Sequence, residues 1–330
     1  MPAPTPQEIG LLALGAAGAS AVCCFCRPAA PPSSSQAAGD GEAEEYKPPT
    51  WVAASGLTVP SHRLRLAHLP TPIHRWRIPH VDEQASEVWI KRDDCTGCEL
   101  SGNKVRKLEF LLADALRQGA TAVITVGGIQ SNHCRATAAA ARRVGLQPHI
   151  ILRTAHPGQD PGLVGNLMLD RMVGATIHLV GEEEFAAKGG WGLVCELQER
   201  LKREEGVDAY AFPSGGSNAL GAWGYVEALA EIQQQVRTMG VHFDCIYFAC
   251  GSGGTAAGLA AGLALSGMGG HGGTELVALG VDDTPEEVCA AQSARWSCCP
   301  DLMLSLHILG AVCCLTQFFD KIDGIFRDMR

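Results

Sequence analysis

Glu99-Leu100-Ser101-Gly102-Asn103-Lys104-Val105-Arg106-Lys107-Leu108-Glu109 sets a glycine turn directly before a strongly apolar helix. Val105, Leu108, Leu111, Leu112, Ala115 and Leu116 carry that helix on as a 3.6-residue stripe. Short branched runs on either side read as strands: Val88–Lys91, Ala122–Val126, His149–Leu152, Thr176–Val180, Ala209–Phe212, Cys245–Ala249 and Leu276–Val281. Helical patterns over Ser131–Val144, Pro161–Val173 and Ala219–Val236 lie between them. Glycine and proline mark most junctions. Strands alternating with helices predict an α/β chain whose parallel sheets are flanked by helices. There is no internal repeat.

Lys104 is the residue in that opening stretch that points to chemistry. A lysine at the start of a rigid helix projects into a cleft, and the glycine turn lets a ligand approach the backbone. Positive charge from Arg106 and Lys107 is expected to favour the neutral amine, the state a Schiff-base lysine needs. The plain competing reading is a solvated lysine in a first helical turn. Two further turns weigh against it. Gly127-Gly128-Ile129-Gln130-Ser131-Asn132-His133 follows a predicted strand and opens a predicted helix, where α/β proteins place ligands. Helix N-terminal amides with Ser and Asn side chains suit a carboxylate or phenolate oxygen; an ordinary N-cap is the alternative.

Cys250-Gly251-Ser252-Gly253-Gly254-Thr255-Ala256-Ala257-Gly258 is the second such turn. Its glycines let backbone amides converge, and Ser252 and Thr255 add hydroxyl donors, which makes a phosphate cradle. No Gly-Lys-Ser/Thr follows, so it is not a P-loop. It fits the dinucleotide fingerprint poorly, and a monophosphate is the better match. Pro213-Ser214-Gly215-Gly216-Ser217-Asn218 is another strand-to-helix turn and is read as lining the same cleft.

A chain of 330 residues can hold two lobes. The net charge of −9, without a basic stripe, argues against nucleic acid. Of 14 cysteines, Cys95 and Cys98 form a C-x-x-C, but no second pair stands at zinc-ribbon distance, so no metal is assigned. Histidine spacing offers no metal set either. Residues 1–48 read as a leader or targeting segment rather than as a globular part. Ile9–Cys26 is an uncharged run of 18 residues at the lower edge of spanning length, which leaves a membrane tether as one reading.

A candidate Schiff-base lysine with a monophosphate cradle points to pyridoxal 5'-phosphate. The chain resembles the D-cysteine desulfhydrase and 1-aminocyclopropane-1-carboxylate (ACC) deaminase family, pyridoxal-phosphate enzymes of fold type II, the two-lobed tryptophan-synthase-β-like fold. The resemblance begins near Pro70-Thr71-Pro72-Ile73 and includes Lys91-Arg92-Asp93-Asp94. It continues through the Lys104 and Ser131 motifs, Ile151–Thr154, Gly165-Asn166-Leu167, Gly215–Asn218 and the Gly251 loop to Asp282-Asp283, roughly two-thirds of the chain. It implies a large lobe from 49–105 and 213–330, and a small lobe from 106–212.

Residue roles follow from the resemblance. Lys104 would bind the cofactor covalently and shuttle the substrate's α-proton. Asn132 would bond the cofactor's ring oxygen. Ser131 and Asn132 would meet the substrate carboxylate, with Ser131 a second catalytic candidate and His133 beside them. Lys107 and Gly251, Ser252, Gly253, Gly254 and Thr255 would bind the phosphate. The implied reaction is β-elimination of D-cysteine to pyruvate, ammonia and hydrogen sulfide. ACC deaminase, giving α-ketobutyrate and ammonia, is the alternative, and an inactive truncated isoform is another. A homodimer and a mitochondrial or plastid location are implied; cytoplasmic or membrane-tethered placement is the alternative.

The family pattern breaks after Glu286-Glu287 and resumes at Phe318-Phe319-Asp320-Lys321-Ile322-Asp323-Gly324. Val288–Gln317 between them is Cys-rich and apolar, expected to be a retained intron or an inserted surface element. The family continues past the equivalent of Arg330, so the large lobe is expected to be incomplete.

Overall fold

The computed structural model describes residues 41–79, 87–97, 102–281, 306–309 and 328–329. Ile9–Cys26, Cys98, Asp282-Asp283 and most of Val288–Gln317 lie outside these residues.

Eleven strands and six α-helices are present among the described residues. The strands are β1 (Glu44–Glu45), β2 (His62–Arg63), β3 (Ile73–Arg75), β4 (Trp89–Lys91), β5 (Ala122–Gly128), β6 (Gln147–Thr154), β7 (Thr176–Gly181), β8 (Ala209–Ala211), β9 (Cys245–Cys250), β10 (Glu275–Gly280) and β11 (Leu306–Leu309). The helices are α1 (Val105–Arg117), α2 (Asn132–Arg143), α3 (Gly165–Met172), α4 (Glu182–Glu205), α5 (Ala219–Met239) and α6 (Gly254–Ser266).

Two parallel sheets form the frame. One has the order β7-β6-β5-β8, and the other β11-β10-β9. The β7-β6-β5-β8 sheet and the β9–β10 pair follow the strand–helix alternation, because a parallel pair needs a crossover and a helix supplies it. β4 departs from that rule: it pairs antiparallel with β3, Ile73 opposite Lys91. Glu44–Glu45, inside the stretch read as a leader, pairs with His62–Arg63, and the next residue, Tyr46, is buried against Phe110 and Trp223. Leu306–Leu309, inside the stretch read as aberrant, runs parallel to Leu276–Leu279 in the β10 ladder.

Helix α1 belongs to two cores at once. Its Leu108, Leu111 and Leu112 pack with Leu64, Leu66, Val123 and Phe212. Its Phe110 packs on the opposite side with Trp223, Val226 and α6. Burying side chains of this size contributes about 1.5–3 kcal/mol each. The neighbours approach closely because glycine permits it. A Cβ on Gly224 of α5 would lie 2.4 Å from the Arg106 carbonyl of α1. One on Gly258 of α6 would lie 2.2 Å from the Ala222 carbonyl of α5. The α1–α5–α6 stack therefore fixes where α1 begins, and with it Lys104.

Candidate active site

Three strand-to-helix turns and the first turn of α1 make the site. Lys104 caps α1, and its carbonyl accepts from the amides of Lys107 and Leu108 at 3.1 and 3.2 Å. Three residues along a helix return to the same face, so Lys104 and Lys107 point the same way. Arg106 points about 100° round the helix instead. It is 1 % exposed and donates to Asp93 at 2.8 and 3.1 Å and to Glu231 at 3.0 and 3.1 Å. Two carboxylates neutralise it. The expectation that Arg106 supplies positive charge to Lys104 is therefore corrected.

The same ion cluster anchors the loop ahead of α1. Lys91 Nζ donates to Glu231, to Gln235 at 2.8 Å and to the Thr71 carbonyl at 2.9 Å. Tyr225 Oη lies 3.3 Å from both Asp93 Oδ2 and the Asn103 carbonyl, which share its one proton. Burial alone would raise the Glu231 pKa, but Arg106 and Lys91 hold it below the usual carboxylate range.

Lys107 is the site's unusual charge. It is 1 % exposed, and its Nζ donates to the Gly215 carbonyl at 3.1 Å and to Ser217 Oγ at 3.3 Å. Both acceptors are neutral. Burial, then the Lys104 charge, pushes its pKa well below the ordinary lysine value. A buried amine without a carboxylate partner is costly unless an anion arrives.

The Gly251–Thr255 loop faces this amine at the start of α6. Gly253 is left-handed (φ 85°), and Gly254 opens the helix. A Cβ at Gly254 would lie 2.8 Å from Lys107 Nζ and 2.7 Å from Ser217 Oγ. The Gly254 amide donates to Ser217 Oγ at 3.2 Å, and Ser217 Oγ and Ser252 Oγ lie 2.7 Å apart. Gly251 and Ser252 are half-buried, and Thr255 is buried. The Gly215–Asn218 turn meets Lys107 here, and Ser217, which no local pattern marks, links Lys107 to the cradle. Burial raises the Cys250 thiol to about 11, against the pull of the Gly253 amide and the two lysines.

The α2 turn brings the remaining candidates. Ser131 is the N-cap, and its Oγ accepts from the Cys134 amide at 3.2 Å. Asn132 is exposed at the mouth, and its Oδ1 accepts from Asn166 Nδ2 at 3.0 Å. His133 lies beneath, 4 % exposed, with Nε2 2.9 Å from Thr125 Oγ1 and its ring edge-on to Phe212. The Thr125 hydroxyl donates its one proton to the Phe212 carbonyl at 3.1 Å, which leaves His133 Nε2 as donor and Nδ1 as a bare acceptor. Nδ1 is buried and has no partner among the described residues. Burial, then Lys104 and Lys107, hold His133 far below the usual histidine range, so it is neutral. Ser131 and Asn132 thus sit at the site's mouth, while His133 turns inward.

The geometry fits a phosphorylated ligand bound through an amine. Lys107 and the Gly254 amide would hold a phosphate, since they gather a buried amine, a helix N-terminal amide and two hydroxyls around one point. Lys104 stands one turn back on the same face. The comparisons with known proteins agree. The family model "Pyridoxal-phosphate dependent enzyme" matches residues 64–306. The chain is 55% identical over 221 residues to a bifunctional D-cysteine desulfhydrase/1-aminocyclopropane-1-carboxylate deaminase, mitochondrial, of Arabidopsis thaliana, covering 66% of this chain and 54% of that protein. It is 42% identical over 204 residues to a D-cysteine desulfhydrase of Serratia proteamaculans, 61% of this chain and 60% of that one. A crystal structure of an ACC deaminase homologue superposes with a TM-score of 0.61 at 33% identity, covering 81% of this chain and 68% of that one. The chain spans between half and two-thirds of the length of these curated relatives. It belongs to the pyridoxal-phosphate-dependent enzyme family, with the fold type II α/β architecture.

Proposed function

We propose that this pyridoxal-phosphate-dependent family member is a carbon–sulfur lyase that converts D-cysteine to pyruvate, ammonia and hydrogen sulfide. The observation that carries the reading is the pairing on α1: Lys104 at the helix start, and the buried Lys107 one turn on against the Gly254 amide. Lys104 Nζ would hold the cofactor covalently. Lys107 and Gly251–Thr255 would hold its phosphate, and Asn132 its ring oxygen. When bound, the cofactor supplies an electron sink for negative charge at the substrate's α-carbon.

The chain's own groups do the rest. Lys104 Nζ, with Lys107 one turn on along the same face, is the amine that would accept the α-proton. The α2 amides, with Ser131 and Asn132, orient the substrate carboxylate. Thiolate leaves the β-carbon without help from an acid, because its parent thiol ionises not far above neutral pH. His133, neutral and packed on Thr125, holds the floor of the turn.

ACC deamination is the second reading, favoured by the bifunctional name of the Arabidopsis relative. That same name supports a mitochondrial location, and we carry a homodimer as part of the proposal. The deciding assay compares sulfide released from D-cysteine with α-ketobutyrate released from ACC by purified chain. Borohydride reduction of the cofactor-loaded protein, followed by peptide mass spectrometry, tests the site. A pyridoxyl adduct on Lys104 is expected; an adduct on any other lysine refutes the assignment.

A further inference from the structure

Asn166, at the start of α3, is bonded on every side. Its backbone amide donates to Gln130 Oε1 at 2.9 Å. Its Nδ2 donates to the Gln130 carbonyl at 2.7 Å and to Asn132 Oδ1 at 3.0 Å. Its Oδ1 accepts from Arg135 at 3.4 Å. Both Nδ2 hydrogens and the oxygen are therefore committed, and the orientation of this carboxamide is not free. Reversing it would set oxygen against two acceptors and an NH2 against a guanidinium.

That fixed orientation is passed on to Asn132. Its Oδ1 must face Asn166, so its Nδ2 faces away, and Nδ2 makes no hydrogen bond among the described residues. The turn that delivers Asn166 is built for the contact. Gly165 has φ 47°, and a Cβ there would lie 2.1 Å from Gln130 Oε1. Only glycine lets the α3 start close onto the α2 turn.

We propose that Asn166 is a positioning residue that locks Asn132 with its Nδ2 outward, so that the site presents a donor, never an acceptor, to the anionic ring oxygen of the cofactor. The inference rests on the reading of Asn132 as the ligand of that oxygen. A donor there stabilises the ionised oxygen, so the lock acts on the cofactor's own protonation equilibrium and not only on its retention.

The test loads the full chain with pyridoxal phosphate and titrates its visible absorption band with pH, alongside cofactor retention. Wild type is compared with Asn166→Asp, Asn166→Ala, Asn132→Ala and the double variant N132A/N166D. In N166D a carboxylate accepts where Asn166 donated, so Asn132 turns its Nδ2 inward and its Oδ1 toward the ring oxygen. The band's apparent pKa is expected to shift by about one unit, and retention to fall about tenfold. Asn166→Ala frees Asn132 to turn either way and is expected to weaken retention about threefold. It decides the matter if N166D does not fold. In the N132A background the N166D band shift should vanish, which a merely structural role would not produce. Bands identical to wild type in both Asn166 variants, or an equal N166D shift with and without Asn132, would overturn the proposal alone. A wild-type chain that takes up no cofactor would instead overturn the site reading, and the proposal with it, before any variant is compared.

Discussion

Asp170→Asn should stabilise the protein, and by more near pH 8 than near pH 5. Asp170 of α3 is fully buried, and neither carboxylate oxygen accepts a hydrogen bond among the described residues. Burial raises its pKa from 3.8 to about 7, and the Arg135 charge recovers only part of that shift. The folded protein thus binds a proton that the unfolded chain has already lost. Stability falls as pH rises from the unfolded pKa to the folded one, and the cost is constant above it. At 1.36 kcal/mol per unit, the cost is about 1.5 kcal/mol near pH 5 and about 4 kcal/mol near pH 8. Asparagine has nearly the same shape and no charge, so it removes that cost at both pH values. Losing the attraction to Arg135 is already included, because the shift is the net of both effects. Urea unfolding of the two proteins at the two pH values measures the difference directly. A D170N protein destabilised by the same amount at both would mean that the carboxylate is satisfied in the fold, and the reasoning would fail.

Gly254→Ala should displace the start of α6 from Ser217 and lose the cofactor. The new Cβ falls 2.8 Å from Lys107 Nζ, in the space assigned to phosphate; unchanged retention on dialysis would contradict that placement. Glu231→Gln should cost about 3–5 kcal/mol in urea unfolding, because it leaves Arg106 and Lys91 short of a buried counter-charge. Wild-type stability contributed by Glu231 is present above the unfolded pKa and is lost as pH falls through its depressed folded pKa, so the gap to the E231Q protein should narrow in acid. Gly224→Ala should destabilise by more than about 1 kcal/mol, since the Cβ meets the Arg106 backbone at 2.4 Å; a neutral effect would show that α1 and α5 can separate.

The parts of this site that were legible in sequence are local. Gly251–Thr255, Ser131-Asn132 and Lys104 each sit within a few residues of a strand-to-helix junction, and glycine, serine and asparagine advertise such turns by their own conformational needs. Ser217 and Asn166 were visible only as parts of other turns. What joins them to the candidate site is a partner far along the chain: Ser252 for Ser217, Asn132 for Asn166. The same holds for the Asp93–Arg106–Glu231 cluster, whose members are 13 and 125 residues apart. Helix α4 escaped the periodicity because Gly189, at φ 68°, interrupts it. β1 and β2 are two residues long, too short for an alternation to show.

The two faces at the start of α1 explain why positions 104–107 hold three basic residues. Lys104 and Lys107 share a face, whereas Arg106 is turned toward Asp93 and Glu231. A buried ion cluster is weak evidence for net stability, because desolvation consumes most of the Coulombic gain. Its effect here is directional. Arg106 engages two carboxylates on separate segments and Tyr225 grips the Asn103 carbonyl, so the helix can neither rotate nor slide without leaving a charge unpaired. Rotation by one residue would carry Lys104 about 100° from the cradle. The cluster therefore sets the angle at which Lys104 leaves the start of α1. Paired hydrophobic replacements at Arg106 and Glu231 should accordingly spare stability more than either single change, yet still loosen Lys104 and lower its yield of borohydride-trapped adduct.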